Sequence, residues 1–122
     1  MTLRNVLLVV TNLERSVAFY KDLFGLQVIV SQEGNVIMSE GLVLQEASIW
    51  KESIKKELHA KNHMTELYFE ECDIENFVKK LEASEYKIEY VTELIEFNWG
   101  QKMVRFYDLD GNLLEVRTPV KQ

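Results

Sequence analysis

Phe106-Tyr107-Asp108-Leu109-Asp110-Gly111-Asn112-Leu113-Leu114-Glu115-Val116-Arg117 reads as two strands joined by a turn. Gly tolerates the positive φ that tight turns require, so Asp110-Gly111-Asn112 between apolar runs is a strong hairpin signal. The outgoing strand carries one carboxylate, Glu115, among apolar neighbours. By the two-residue period of a strand, Leu114 and Val116 share one face, and Glu115 shares the other with Leu113 and Arg117. Glu115 is therefore either a solvated outer-face residue, ion-paired to Arg105 or Arg117, or part of a site.

Working outward, the whole chain repeats one order of elements. Residues 3–10 form a β-branched strand, Asn12 supplies a cap, and Leu13, Val17, Tyr20 and Phe24 fall at helical spacing before Gly25 stops the helix. Strands are expected at Leu26–Ser31, Asn35–Ser39 and Leu42–Ile49. The polar stretch 51–63 reads as an exposed connector with at most a turn or two of helix. A strand at Thr65–Glu71 and a helix capped by Asp73, with an Ile74, Phe77, Val78 and Leu81 stripe, begin the second half. Strands at Lys87–Thr92, Lys102–Asp108 and Leu113–Thr118 complete it, with Glu93–Gly100 as a longer loop. The organisation is duplicated, which predicts an α+β fold of paired modules, 1–50 and 64–118. Superposing the two caps sets Asn5 against Glu66, and the last strands set Gln45 against Glu115. Two polar positions per repeat therefore fall on strand faces, and all four converge if the halves curl toward one another.

These residues also carry a resemblance. Asn12-Leu-Glu-Arg-Ser-Val-Ala-Phe-Tyr20, closing on Phe24-Gly25-Leu26, resembles the first-half signature of the vicinal oxygen chelate superfamily, the glyoxalase, bleomycin-resistance and extradiol dioxygenase group. Phe106 to Glu115 is similar to its closing signature, with Leu109 where Pro is common. The resemblance covers essentially the whole chain. It implies βαβββ modules forming a cupped, partly open mixed sheet, usually completed as a homodimer. It also implies that the four positions are where metal-binding members place their ligands. Asn5 stands where His is most usual, Gln45 where Glu or Gln is found, Glu66 in place of His or Glu, and Glu115 on the widespread Glu. Without an imidazole, such a set suits a hard divalent cation held through oxygen better than Zn, Ni or Fe.

Composition narrows the classes. A 122-residue chain with 47% hydrophobic and 28% charged residues is expected to fold as one soluble unit around an ordinary core, which the resemblance implies is a single glyoxalase-like domain. No run approaches the ~20 apolar residues of a membrane span, no signal-peptide layout opens the sequence, and Cys72 is the single cysteine, all of which favour a cytoplasmic protein. The net charge of −6, without a basic stripe, argues against nucleic acid and membrane partners. His59 and His63, four apart in charged surroundings, read as solvated, and Cys72 as packing.

Two functions fit. The first is a metal-dependent lyase or isomerase in which a divalent ion chelates two substrate oxygens, an enediolate forms, and Glu66 or Glu115 moves the proton. The second needs no metal. It is a binding protein, as the antibiotic-sequestering members are, with Trp50, Phe97, Trp99, Tyr68 and Arg105 around a small ligand that the acidic balance suits to be a cationic aromatic. Extradiol dioxygenase chemistry is the poorest match, because the two-His-one-carboxylate iron site is missing.

Overall fold

Gly25 and the two cap residues fix where the helices begin and end. The computed structural model of the chain describes residues 1–120. Asn12 accepts a hydrogen bond from the Arg15 backbone N–H at 3.0 Å, opening helix α1 (Leu13–Phe24). Gly25, at φ 69°, closes it in the left-handed conformation; its N–H donates to Lys21 O, and that of Leu26 to Tyr20 O. The face repeating at Ser16, Phe19, Tyr20 and Leu23 is the buried one, as the spacing requires.

Around α1 are strands β1 (Val6–Val10), β2 (Val28–Gln32), β3 (Asn35–Met38) and β4 (Leu42–Glu46), in the order β1-β4-β3-β2. β1 pairs parallel to β4, and the other pairs are antiparallel. Phe19, Tyr20, Leu23, Val36, Met38 and Leu44 are its buried core. Each such side chain removed from water contributes roughly 1.5–3 kcal/mol. Gly41 is required by its surroundings: φ is 76°, and a Cβ there would sit 2.9 Å from the Arg4 carbonyl oxygen.

The strand expected to run on to Ile49 ends instead at Glu46, and helix α2 (Ala47–Ile54) follows. Ile49 then packs so closely against Gly34 that a Cβ there would collide with its Cδ1. Trp50 is therefore a helical, half-buried residue. This unit spans Met1–His59.

The second unit, Ala60–Gln122, repeats the plan. Strand β5 (Leu67–Glu70) precedes helix α3 (Ile74–Ala83), whose cap, Asp73, accepts from the Asn76 N–H at 3.3 Å. Strands β6 (Tyr90–Glu96), β7 (Lys102–Tyr107) and β8 (Leu113–Arg117) complete a sheet of order β5-β8-β7-β6, with β5 parallel to β8. Val104, Phe106, Leu114 and Val116 are buried on one face, where Phe106 meets Phe77 of α3 at 6.2 Å between ring centres. β6 runs four residues further than the sequence suggested. Glu93 and Glu96 look like loop residues, but positions alternate between half-buried and exposed from Tyr90 to Ile95, and the strand pairs with β7 through bulges as far as Glu96. Cys72 is exposed rather than packed.

The hairpin that opened the sequence reading is a five-residue loop between Tyr107 and Leu113. Asp108 organises it: one carboxylate oxygen accepts from the Asp110 and Asn112 N–H groups, the other from the Asn112 side-chain amide, all at 2.9 Å. Gly111 takes φ 83°, with Ala60 Cβ 3.1 Å from where its own would be.

The architecture is thus α+β, with two four-stranded mixed sheets and three α-helices among the described residues. Among the described residues no helix is long and apolar enough to cross a membrane.

Candidate functional site

Glu115 anchors the second unit's polar face. It lies mid-strand on β8, directly opposite Tyr68 of β5 and Arg105 of β7. The register therefore lays Tyr68, Glu115 and Arg105 side by side across three strands, on the face opposite α3. Although its side chain is charged, Glu115 is only 1% exposed. A carboxylate so deeply withdrawn from water needs compensation on both oxygens. It has it: Arg105 Nε donates to Oε1 at 2.6 Å, and Arg117 Nε donates to Oε2 at 2.8 Å.

The clamp continues outward. Arg117 Nη1 donates to Gln101 Oε1 at 3.2 Å, which also accepts from the Trp99 indole N–H at 3.1 Å. Gln101 is itself held by its amide, which donates to the Thr118 carbonyl at 2.8 Å. The Arg117 guanidinium lies 4.9 Å from the centre of the Phe97 ring and 5.9 Å from that of Tyr68. Phe97 and Trp99 stack with centroids 4.5 Å apart and planes 3° from parallel. Trp99 and Tyr68 remain 59% and 51% exposed, so the column has open aromatic faces.

Glu66 stands just ahead of β5, its carboxylate 3.9 Å from Arg105 Nε. Partial burial, then the neighbouring Glu115 carboxylate, hold its carboxyl above the usual range, while Arg105 and Arg117 pull it down.

In the first unit, Gln45 lies on β4 opposite Asn35 of β3 and Val9 of β1. Its side-chain oxygen accepts from the Asn35 amide at 2.8 Å. Asn5 precedes β1 and is exposed. The strand registers also qualify the repeat. Asn5 lies four residues before the position facing Gln45, whereas Glu66 lies two before the position facing Glu115. Aligning the helix caps hid this, because the link from β5 to Asp73 is longer than that from β1 to Asn12.

A divalent ion does not fit these donors as they stand. Both Glu115 oxygens and the Gln45 oxygen already accept hydrogen bonds from side chains of their own unit, and two guanidiniums beside Glu115 repel a cation. Among the described residues no group of three or more His, Cys, Asp or Glu side chains gathers as a metal site. His63 instead meets the Tyr107 hydroxyl at 2.5 Å through Nε2, and Lys61 lies 5.0 Å from the Tyr107 ring centre.

Sequence reasoning missed Arg117 as a site residue, and Gln101 and Asn35 altogether. Arg117 was legible as an ion-pair partner by its two-residue spacing from Glu115. Gln101 and Asn35 acquire their roles only through strand register.

Residues 3–121 match the family model described as a glyoxalase-like domain. The chain belongs to that family, within the vicinal oxygen chelate superfamily. No curated protein matches it. Among solved structures, an Agrobacterium tumefaciens protein of unknown function is 27% identical, over 98% of this chain and 94% of its own, with a TM-score of 0.83. A glyoxalase/bleomycin resistance protein/dioxygenase from Nocardioides is 20% identical, over 99% and 85%, at a TM-score of 0.72. The fosfomycin resistance protein FosX of Listeria monocytogenes is 16% identical, over 100% and 94%, at 0.75. Below 25% identity such likeness speaks for the fold.

Proposed function

We propose that this glyoxalase-family chain is a binding protein that holds a small planar molecule by direct side-chain contact, without a catalytic metal. The observation that carries the proposal is the clamp on Glu115, whose two oxygens accept from Arg105 and Arg117. Where a metal-binding relative would offer that carboxylate to a cation, here it fixes two guanidiniums. Tyr68, Phe97 and Trp99 supply flat apolar surface beside them, which suits an aromatic ring. The enediolate route through Glu66 and Glu115 would require Glu115 to leave both arginines, exposing two cations to whatever metal approached. A cationic ligand suits the chain's overall −6 charge, but the local pair of arginines weakens that choice. The homodimer implied by the resemblance finds support in the edge strand β2, where Val28, Ile29 and Val30 are all exposed.

The test is metal analysis of protein purified without chelators, joined to thermal shift with Zn²⁺, Ni²⁺ and Mn²⁺ and with planar aromatic compounds. Aromatic compounds should quench Trp99 fluorescence and raise the melting temperature, and the metals should do neither. One equivalent of retained metal, together with metal-dependent turnover of a hemithioacetal, would overturn the proposal.

A further inference from the structure

The guanidiniums that hold Glu115 do so with their inner Nε–H groups. A guanidinium carries five N–H donors in a planar fork. Arg105 gives Glu115 its Nε–H, while Arg117 gives Nε–H to Glu115 and one Nη1 proton to Gln101. Among the described residues their other Nη donors meet no protein acceptor, and the Arg105 side chain is 33% exposed. Two forks fixed by one buried carboxylate, beside open aromatic faces, match a planar oxyanion attached to a ring. Such a group can take paired N–H donors while its ring stacks on Trp99 or Tyr68.

Resting on the binding role proposed above, we infer that Arg105 and Arg117 form a receptor for the carboxylate of an aromatic acid.

Benzoate, benzamide and benzylammonium, titrated against the full chain in buffer containing a chelator, separate the possibilities. Trp99 fluorescence and the arginine Nε–H resonances in NMR provide the readouts. Benzoate should shift the Arg105 and Arg117 signals and bind at least about tenfold more tightly than benzamide, with benzylammonium weakest. Arg105→Gln, checked for folding by near-ultraviolet circular dichroism, should lose the preference for benzoate over benzamide. Equal binding of benzoate and benzamide would overturn the receptor while leaving metal-free binding intact. Benzoate binding only after Mn²⁺ replaces the chelator would instead overturn the metal-free role itself.

Discussion

Glu115→Gln tests the clamp with the least change in shape. The substitution leaves one carbonyl oxygen to accept but removes the charge and replaces the second acceptor with an amide, which cannot accept from Arg117 or Arg105. Removing one partner of a fully buried pair costs about 3–5 kcal/mol. Here Arg105 and Arg117 reach solvent over 33% and 19% of their side chains, so water recovers part of that loss. We expect a cost of about 2–4 kcal/mol, near the loss of one to two charge-assisted hydrogen bonds. For a chain of this size that lowers the melting temperature by roughly 8–16 °C. Urea denaturation of metal-free protein, followed by circular dichroism, measures it. A free metal-ligand carboxylate predicts the opposite sign: with Glu66 nearby, neutralising Glu115 relieves like-charge repulsion and stabilises the protein. A change below about 0.5 kcal/mol, or a gain, would refute the clamp as the reason Glu115 is buried.

Glu66→Gln should stabilise the protein at neutral and alkaline pH and match wild type in acid. A raised folded-state carboxyl binds more protons than the unfolded chain, so wild-type stability falls as pH rises from the ordinary carboxyl range through the raised one. Denaturation curves at several pH values should show the two proteins converging at the acid end. Gly41→Ala forces a Cβ 2.9 Å from the Arg4 carbonyl oxygen at φ 76° and should cost about 1–3 kcal/mol, read by thermal melting; Gly25→Ala, with nothing near its Cβ, should cost less. Asp108→Ala removes three accepted hydrogen bonds from the β7–β8 loop and should cost about 2–3 kcal/mol, with faster amide exchange at Asp110 and Asn112.

Features set by local chemistry were legible in the sequence. Asn12 and Asp73 cap helices because their side-chain oxygens reach backbone N–H groups three residues on. Gly25 and Gly111 sit at positive φ where the pattern asked for it. Periodicity separated the buried Leu114 and Val116 from the face shared by Glu115 and Arg117, although it could not say that Glu115 would be buried as well. Features set by register were not legible. Whether Asn5 matches Glu66 depends on which residue of β1 faces which residue of β4, and a helix cap carries no information about that. The choice among solvent, Arg105 and Arg117 as partners for Glu115 was open, and the structure takes both arginines. Nothing local in Leu42–Ile49 marks the end of the strand at Glu46, since Ala47-Ser48-Ile49 tolerates either conformation.

The two halves solve the same local problem with different chemistry. Asn35 and Gln45 face each other across β3 and β4 as Arg105 and Glu115 do across β7 and β8, each pair seventy residues from its counterpart. In the first unit a neutral amide pair satisfies the polar position at small desolvation cost. In the second, a carboxylate at the same place is too strongly charged for one neutral donor, and burial is sustained by two cations instead. The compensation has a consequence for function. A lone carboxylate would leave its site anionic, whereas this one comes with two guanidiniums that offset its charge. The residue that most resembles a metal ligand in the sequence is therefore one whose two oxygens are already held by two cations.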